Sequence, residues 1–194
     1  MKNEGSRNWR QMEWIGFWFE HLVDQVLESG TTGATGPKYG HTQFDLMLDE
    51  PWDLKAHPSG KPEIILNDTF AVDQCIADYG SINYLILSGD VEYDDQDQSF
   101  RQWHDSIKGK TTSYVTQRIA EGRPSRRRKI SFKPKTVYAF QLDSKTIKST
   151  LDSGALGYFQ EGMRNSDGNP RAAKYRIKNL KRIIEFRHVI IELD

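Results

Sequence analysis

Between residues 43 and 58, in the stretch QFDLMLDEPWDLKAHP, apolar and polar side chains alternate with a period of two. Phe44, Leu46, Leu48, Trp52, Leu54 and Ala56 fall on one side, and Asp45, Asp53, Lys55 and His57 on the other. That is the pattern of strands with one face in a core. Asp49-Glu50-Pro51 is turn chemistry, so 44–57 is predicted to be an antiparallel hairpin turning near Glu50. Upstream, Met12, Ile15, Phe19, Leu22, Val26 and Leu27 recur at steps of three and four, which predicts a helix over 9–28 stopped by Ser29-Gly30. Trp14, Phe17 and Trp18 make this helix apolar on nearly all sides, as in a central helix or one at a dimer contact.

Residues 30–42 read as a Gly/Thr-rich loop with room for one short strand. Asn67 or Asp68 can cap a helix over 69–79, which Gly80 ends. INYLILSG, 82–89, is a continuous apolar run of the kind that forms a strand buried on both faces. An acidic loop over 90–100 and helices over 99–108 and 112–121 follow. The basic loop RPSRRRKISFKPK then leads into a strand over 136–142, and Asp143 or Ser144 can cap a helix to about residue 152. The segment 157–181 is rich in turn residues and cations, and 182–193 closes the chain as a strand. Helices and strands alternate in the manner of an α/β domain, and 194 residues suit one core.

The chain is 37% apolar and 28% charged, the balance of an ordinary soluble globule. No apolar run is long enough to cross a bilayer, and the N-terminus lacks the apolar core of a secretory signal, which points to a cytoplasmic protein with no membrane partner. Cys75 is the only cysteine, so no internal disulfide forms, and it is expected as a small buried hydrophobe. Net charge is zero, yet residues 1–106 carry −12 and residues 107–194 carry +12. Either one half gathers cations while the other holds a polyanion, or two charged faces neutralise each other within the fold.

The hairpin carries the candidate chemistry. Asp53, Lys55 and His57 share a face, and antiparallel pairing sets Asp45 beside them. Two carboxylates that repel each other invite Mg²⁺, a hard cation with a preference for oxygen, and a lysine two residues away can reach a phosphate and its attacking water. The alternative is a surface ladder of charges worth a few tenths of a kcal/mol. Asp45 followed by Asp53-Leu54-Lys55 resembles the D…(D/E)xK signature of the PD-(D/E)xK nucleases, the superfamily that includes restriction endonucleases. The helix before and the helix and strand after resemble that family's α-β-β-β-α-β core, a mixed sheet flanked by helices, across residues 9–90. The resemblance implies Mg²⁺-dependent cleavage of DNA, with Asp45 and Asp53 as metal ligands and Lys55 orienting or activating water. Glu20 matches the glutamate that family members often add from the first helix, although its place on the helical wheel also allows a solvated position.

The basic half suits a polyanion. Arg123, Arg126, Arg127, Arg128 and Lys129 crowd into seven residues. Arg164, Asn165, Asn169, Arg171, Lys174, Arg176 and Lys178 follow on a Gly/Asp turn, mixing arginines that can grip guanine with asparagines that can grip adenine. A solvated loop that merely balances the acidic half is the competing reading. Together these features lead to the expectation of a sequence-specific type II restriction endonuclease on double-stranded DNA, acting as a homodimer because a symmetric site is most simply cut by two copies. A cognate DNA methyltransferase would be its biological counterpart. A structure-specific, phage or repair nuclease of the same fold, or a DNA-binding protein without catalysis, are the alternatives.

Overall fold

A computed structural model describes residues 3, 7–11, 13–30, 43–109, 113–123, 127–165, 167–183 and 188–193. The short strand considered within 30–42 falls almost wholly outside them, and so does Arg126. A 3₁₀ turn, Arg7–Arg10, precedes helix α1, Trp14–Gly30; the predicted helix therefore begins later than residue 9. Then come β1 (Leu46–Met47), β2 (Pro51–Pro58), β3 (Ile64–Asp68), α2 (Thr69–Tyr79), β4 (Ile82–Tyr93), α3 (Ser99–Lys108) and α4 (Ser113–Ala120). The second half continues with β5 (Lys129–Leu142), α5 (Ser144–Asp152), β6 (Leu156–Phe159), β7 (Lys174–Ile177), α6 (Leu180–Ile183) and β8 (His188–Glu192). Among the described residues no helix is long and apolar enough to cross a membrane.

The architecture is α/β. A five-stranded mixed sheet has the order β1-β2-β4-β5-β8, and a three-stranded antiparallel sheet the order β3-β7-β6. The predicted hairpin forms, with Leu46 opposite Trp52 and Met47 opposite Pro51. Its turn centres on Asp49 instead of Glu50, because Pro51, which has no N–H to give, takes the first position of β2. On its other side β2 pairs in parallel with β4, Asp53 against Tyr84 and Lys55 against Ile86. A parallel pair needs a long crossover, and β3 with α2 supplies it. Both ends of α2 follow the sequence: the Asp68 carboxylate accepts from the Phe70 N–H at 3.0 Å, and Gly80 closes the helix at φ 87°.

Three predicted loops are strands in part. β4 runs on to Tyr93 and β5 begins at Lys129, so the acidic and basic segments pair with each other along one ladder. Opposite charges across the strands favour this, as in the 2.6 Å ion pair of Lys135 with Asp90. The turn-rich segment 157–181 contributes β7 and most of β6 to the second sheet, and α6 delays the closing strand to His188.

The main sheet is covered on both faces, as the apolar run of β4 predicts. On one face Trp18, Phe19 and Val23 of α1 pack on Leu54, Ala56, Leu85 and Leu87. On the other, Ile82, Tyr84, Ile86, Phe140 and Leu142 meet α2 and the second sheet through Val72, Ile76, Leu66, Leu156, Tyr175 and Ile177. Cys75 is fully buried in that second cluster, and burial raises its thiol to about 11, so it is a core residue as expected.

Where β4 passes Pro134, the ladder skips a residue between Ser88 and Gly89. A Cβ on Gly89 would run into the Lys133 carbonyl and come within 2.8 Å of the Phe132 ring. Gly89→Ala is therefore expected to lower stability by about 1–3 kcal/mol in urea unfolding. A midpoint equal to that of the parent would show that this crossing is loose.

Candidate active site

Asp53 lies on the β2 face that meets the larger core, and only 1% of it is exposed. Its Oδ2 accepts a hydrogen bond from the Asn67 side chain on β3, and Lys55 Nζ forms an ion pair with Oδ1. The Lys55 ammonium is thus the partner of Oδ1, as the Asn67 amide is of Oδ2. Asp45 is brought alongside by the hairpin. Its N–H donates to the Trp52 carbonyl at 2.9 Å, and its Oδ2 accepts the Leu54 N–H at 2.8 Å, so a side chain supplies one rung of the ladder.

The electrostatics record this convergence. Burial pushes the Asp53 carboxyl up to about 6, with the Lys55 charge opposing, Asp45 adding, and the hydrogen bonds from Lys55 and Asn67 opposing. Glu20 on α1 is pushed up to about 7, first by burial and then by Asp45, with Lys55 opposing and Asp53 and Asp24 adding. Glu20 is half-buried on α1, so it does not take the fully solvated position that the helical wheel also allows. The Tyr84 hydroxyl, fully buried and without a hydrogen-bond partner, is raised well above the usual phenol range, first by burial and next by Asp53.

Asn67 is the residue the sequence pattern misses. Asn67 and Asp68 are both cap-competent, but a helix takes one N-cap, and Asp68 fills it. The spare amide turns to Asp53 and to the Gln43 carbonyl at 3.3 Å. Two adjacent capping residues before one helix were the available signal.

Lys55, a quarter exposed, lines a cleft of about 690 Å³ together with Glu13, His57, Lys61, Glu63 and Lys129. His57 is spoken for: its Nε2–H donates to the Lys61 carbonyl at 2.6 Å, and burial lowers its pKa, so it closes the loop after β2 as a neutral ring.

The two basic clusters are divided by the fold. Arg128, expected on the DNA surface, is 3% exposed: one guanidinium nitrogen meets His104 Nδ1 at 3.0 Å and another Asp105 at 3.3 Å. Its planar fork fits those two partners together, which draws it inward. Arg127 stays exposed but donates to the Asp94 carbonyl at 2.6 Å, Arg123 lies 3.5 Å from Glu121, and Lys129 pairs with Glu13 at 2.8 Å. In the second cluster Asn165 spends its side-chain oxygen on the N–H groups of Asp167 and Asn169, at 3.0 and 2.9 Å. Arg164 donates to the Gly168 carbonyl at 2.6 Å, and Arg176 pairs with Glu63 at 3.3 Å. Asn169 and Arg171 are exposed, and Lys174 is half-buried on β7.

The donors present suit Mg²⁺. They are carboxylate oxygens, and Asp53 Oδ1 is a buried acceptor whose partner is the Lys55 ammonium at the edge of the cleft. Among the described residues no three His, Cys, Asp or Glu side chains form a ready-made cage. Mg²⁺ does not require one, since it commonly binds one or two carboxylates and keeps waters or phosphate oxygens in its remaining positions.

A pH dependence of stability follows from the raised carboxyls. Glu20 holds its proton more tightly in the folded chain than at its ordinary 4.5, so its contribution is full below that pH and is lost as pH rises through about 7. Glu20→Gln is expected to flatten the fall in urea stability between pH 5 and pH 8, by roughly 1 kcal/mol once solvent screening of a partly exposed group is allowed for. Millimolar Mg²⁺ should restore stability to the parent at pH 8 more than at pH 5. A variant that loses stability in parallel with the parent would place Glu20 outside the carboxylate field.

Comparison of the chain with protein-family models, with curated proteins and with solved structures finds no match, so the function of this site is argued from its own geometry.

Proposed function

We propose that the protein is a Mg²⁺-dependent endonuclease that hydrolyses phosphodiester bonds in double-stranded DNA, of the sequence-specific restriction type and acting as a homodimer. The observation that carries this reading is the convergence of Asp45, Asp53 and Lys55 at one point, with the buried Asp53 carboxylate held by Lys55 beside a cleft bordered by Lys55, Lys61 and Lys129. A surface ladder of charges would have left these groups in solvent. The restriction-endonuclease-like core is supported by the order α1, β1, β2, β3, α2, β4 and by the parallel β2–β4 pair that α2 connects. β3 departs from the expected arrangement by joining the second sheet.

Asp45 and Asp53 are the residues that would hold Mg²⁺, with Glu20 near enough to sense their charge. When bound, the ion offsets the repulsion among the carboxylates and the charge that develops on the phosphate. Asn67 fixes Asp53 by one oxygen, and the other faces Lys55. Lys55 stands at the rim, where its ammonium reaches both Asp53 and the cleft, and there it orients water and neutralises the phosphoryl oxygens.

Incubation with plasmid and Mg²⁺ is expected to give discrete bands, and EDTA to abolish them. Asp53→Ala should remove cutting and Lys55→Ala should reduce it by at least about a hundredfold, both retaining DNA binding. A smear would favour a general nuclease of the same fold. Binding with no cutting under any divalent metal would favour a DNA-binding protein, and undiminished cutting by both variants would defeat the site.

A further inference from the structure

The cleft at Lys55 does not end there. It shares His57, Lys61, Pro62 and Ile64 with a second cleft of about 560 Å³, which Lys178 and Lys181 border further on. Lys55, Lys129, Lys61, Lys178 and Lys181 therefore edge one continuous groove. Its acids are committed, Glu13 to Lys129 at 2.8 Å and Glu63 to Arg176 at 3.3 Å. Lys55 is committed to Asp53. Lys61, Lys178 and Lys181 have no acidic partner among the described residues, so the charge left over is positive and sits on a concave surface that concentrates its field.

Two of these lysines are held in place. The Lys61 N–H donates to the Pro58 carbonyl at 3.0 Å, and its carbonyl accepts from His57, which ties it to the end of β2. The Lys178 side chain lies across Gly157 of β6, where a Cβ would stand 2.5 Å from its Cε and 2.8 Å from its Nζ. Gly157 pairs with Arg176 as ordinary strand, so the glycine serves to seat the lysine and not to bend the chain.

We infer that the groove holds one strand of a DNA duplex by its phosphates, from the scissile position at Lys55 past Lys61 to Lys178 and Lys181. The inference rests on the nuclease reading for where the scissile phosphate lies. It assigns sequence-independent affinity to Lys61 and Lys181, which belong to neither basic cluster of the sequence, and leaves the exposed Asn169 and Arg171 for reading bases.

The test is binding of a mixed-sequence duplex oligonucleotide in EDTA, followed by fluorescence anisotropy across a salt series. The variant K61A/K178A/K181A should bind more weakly, with a slope of log affinity against log salt smaller by two to three, since each phosphate contact contributes ~0.9. Gly157→Val alone should reduce the slope by about one. K145A/K148A, on the exposed face of α5 and outside the groove, should keep the parent slope. Thermal midpoints equal to the parent's establish that the variants fold. An unchanged slope in the triple variant, an equal loss in the α5 control, or no duplex binding by the parent overturns the groove. Mg²⁺-dependent cutting with an unchanged triple-variant slope would sink the groove and leave the nuclease standing. A reduced slope in a protein that never cuts would do the reverse.

Discussion

Asp53 is an acid that the fold keeps out of water, and the surrounding structure is arranged around that constraint. Withdrawing a carboxylate from solvent costs several kcal/mol unless charge and hydrogen bonds offset it. Lys55 offsets part and Asn67 another part, from two different strands. The remainder is visible as carboxyls raised to about 6 at Asp53 and about 7 at Glu20. A fold selected for stability alone would have no reason to gather Asp45 and Glu20 around the buried Asp53, and such local conflict is characteristic of sites retained for chemistry.

The polarised charge of the chain acquires two meanings in the structure. Much of it is internal: Glu13 with Lys129, Asp90 with Lys135, Glu63 with Arg176 and Asp105 with Arg128 each join the acidic half to the basic half. These pairs fasten β5 and β7 to the first half of the chain, and the buried Arg128 does so with His104 as a second partner. The neutralisation reading therefore holds for them. Of the cations without an acidic partner, Lys61, Lys178 and Lys181 border the groove beside Lys55. Of the two explanations the sequence offers for one asymmetry, these ion pairs bear out neutralisation for the residues they join, and polyanion binding belongs to the proposed groove.

Features governed by neighbours in sequence were legible. The hairpin's alternation, the Asp68 cap, the Gly80 stop, the Asp143 cap and the doubly buried β4 all follow from local rules that act within a few residues. Features governed by distant partners were not. The extension of β4 and β5 through charged segments depends on each being opposite the other, which neither composition reveals. β6 and β7 are four-residue strands between turns, too short for periodicity to mark, and they exist because β3 leaves the main sheet to join them. Arg128 looked like its neighbours in an arginine run, and only the position of α3 distinguishes it. Within the site, Asp45, Asp53 and Lys55 could be read from spacing because a strand has a strict period, whereas Asn67 comes from another sheet.

The same period explains why one short strand can serve two opposed requirements. A carboxylate whose affinity for a cation is to be high must be dry, while a lysine that meets a polyanion must be reachable. Along β2 exposure rises from 1% at Asp53 to 25% at the Lys55 side chain, a single two-residue step on one face. The step is possible because β2 ends in a loop, closed by His57 and Lys61, that lets the core give way to the groove within two further positions. On the opposite face Leu54 and Ala56 stay packed against α1, so the strand cannot slide to trade one requirement for the other. A shift of register by one residue would put Leu54 where Asp53 now sits and bury Asp53 and Lys55 against the apolar side of α1. The apolar side of the strand thus holds the polar side in place, which is why the alternation that first marks this segment also fixes the geometry of the proposed site.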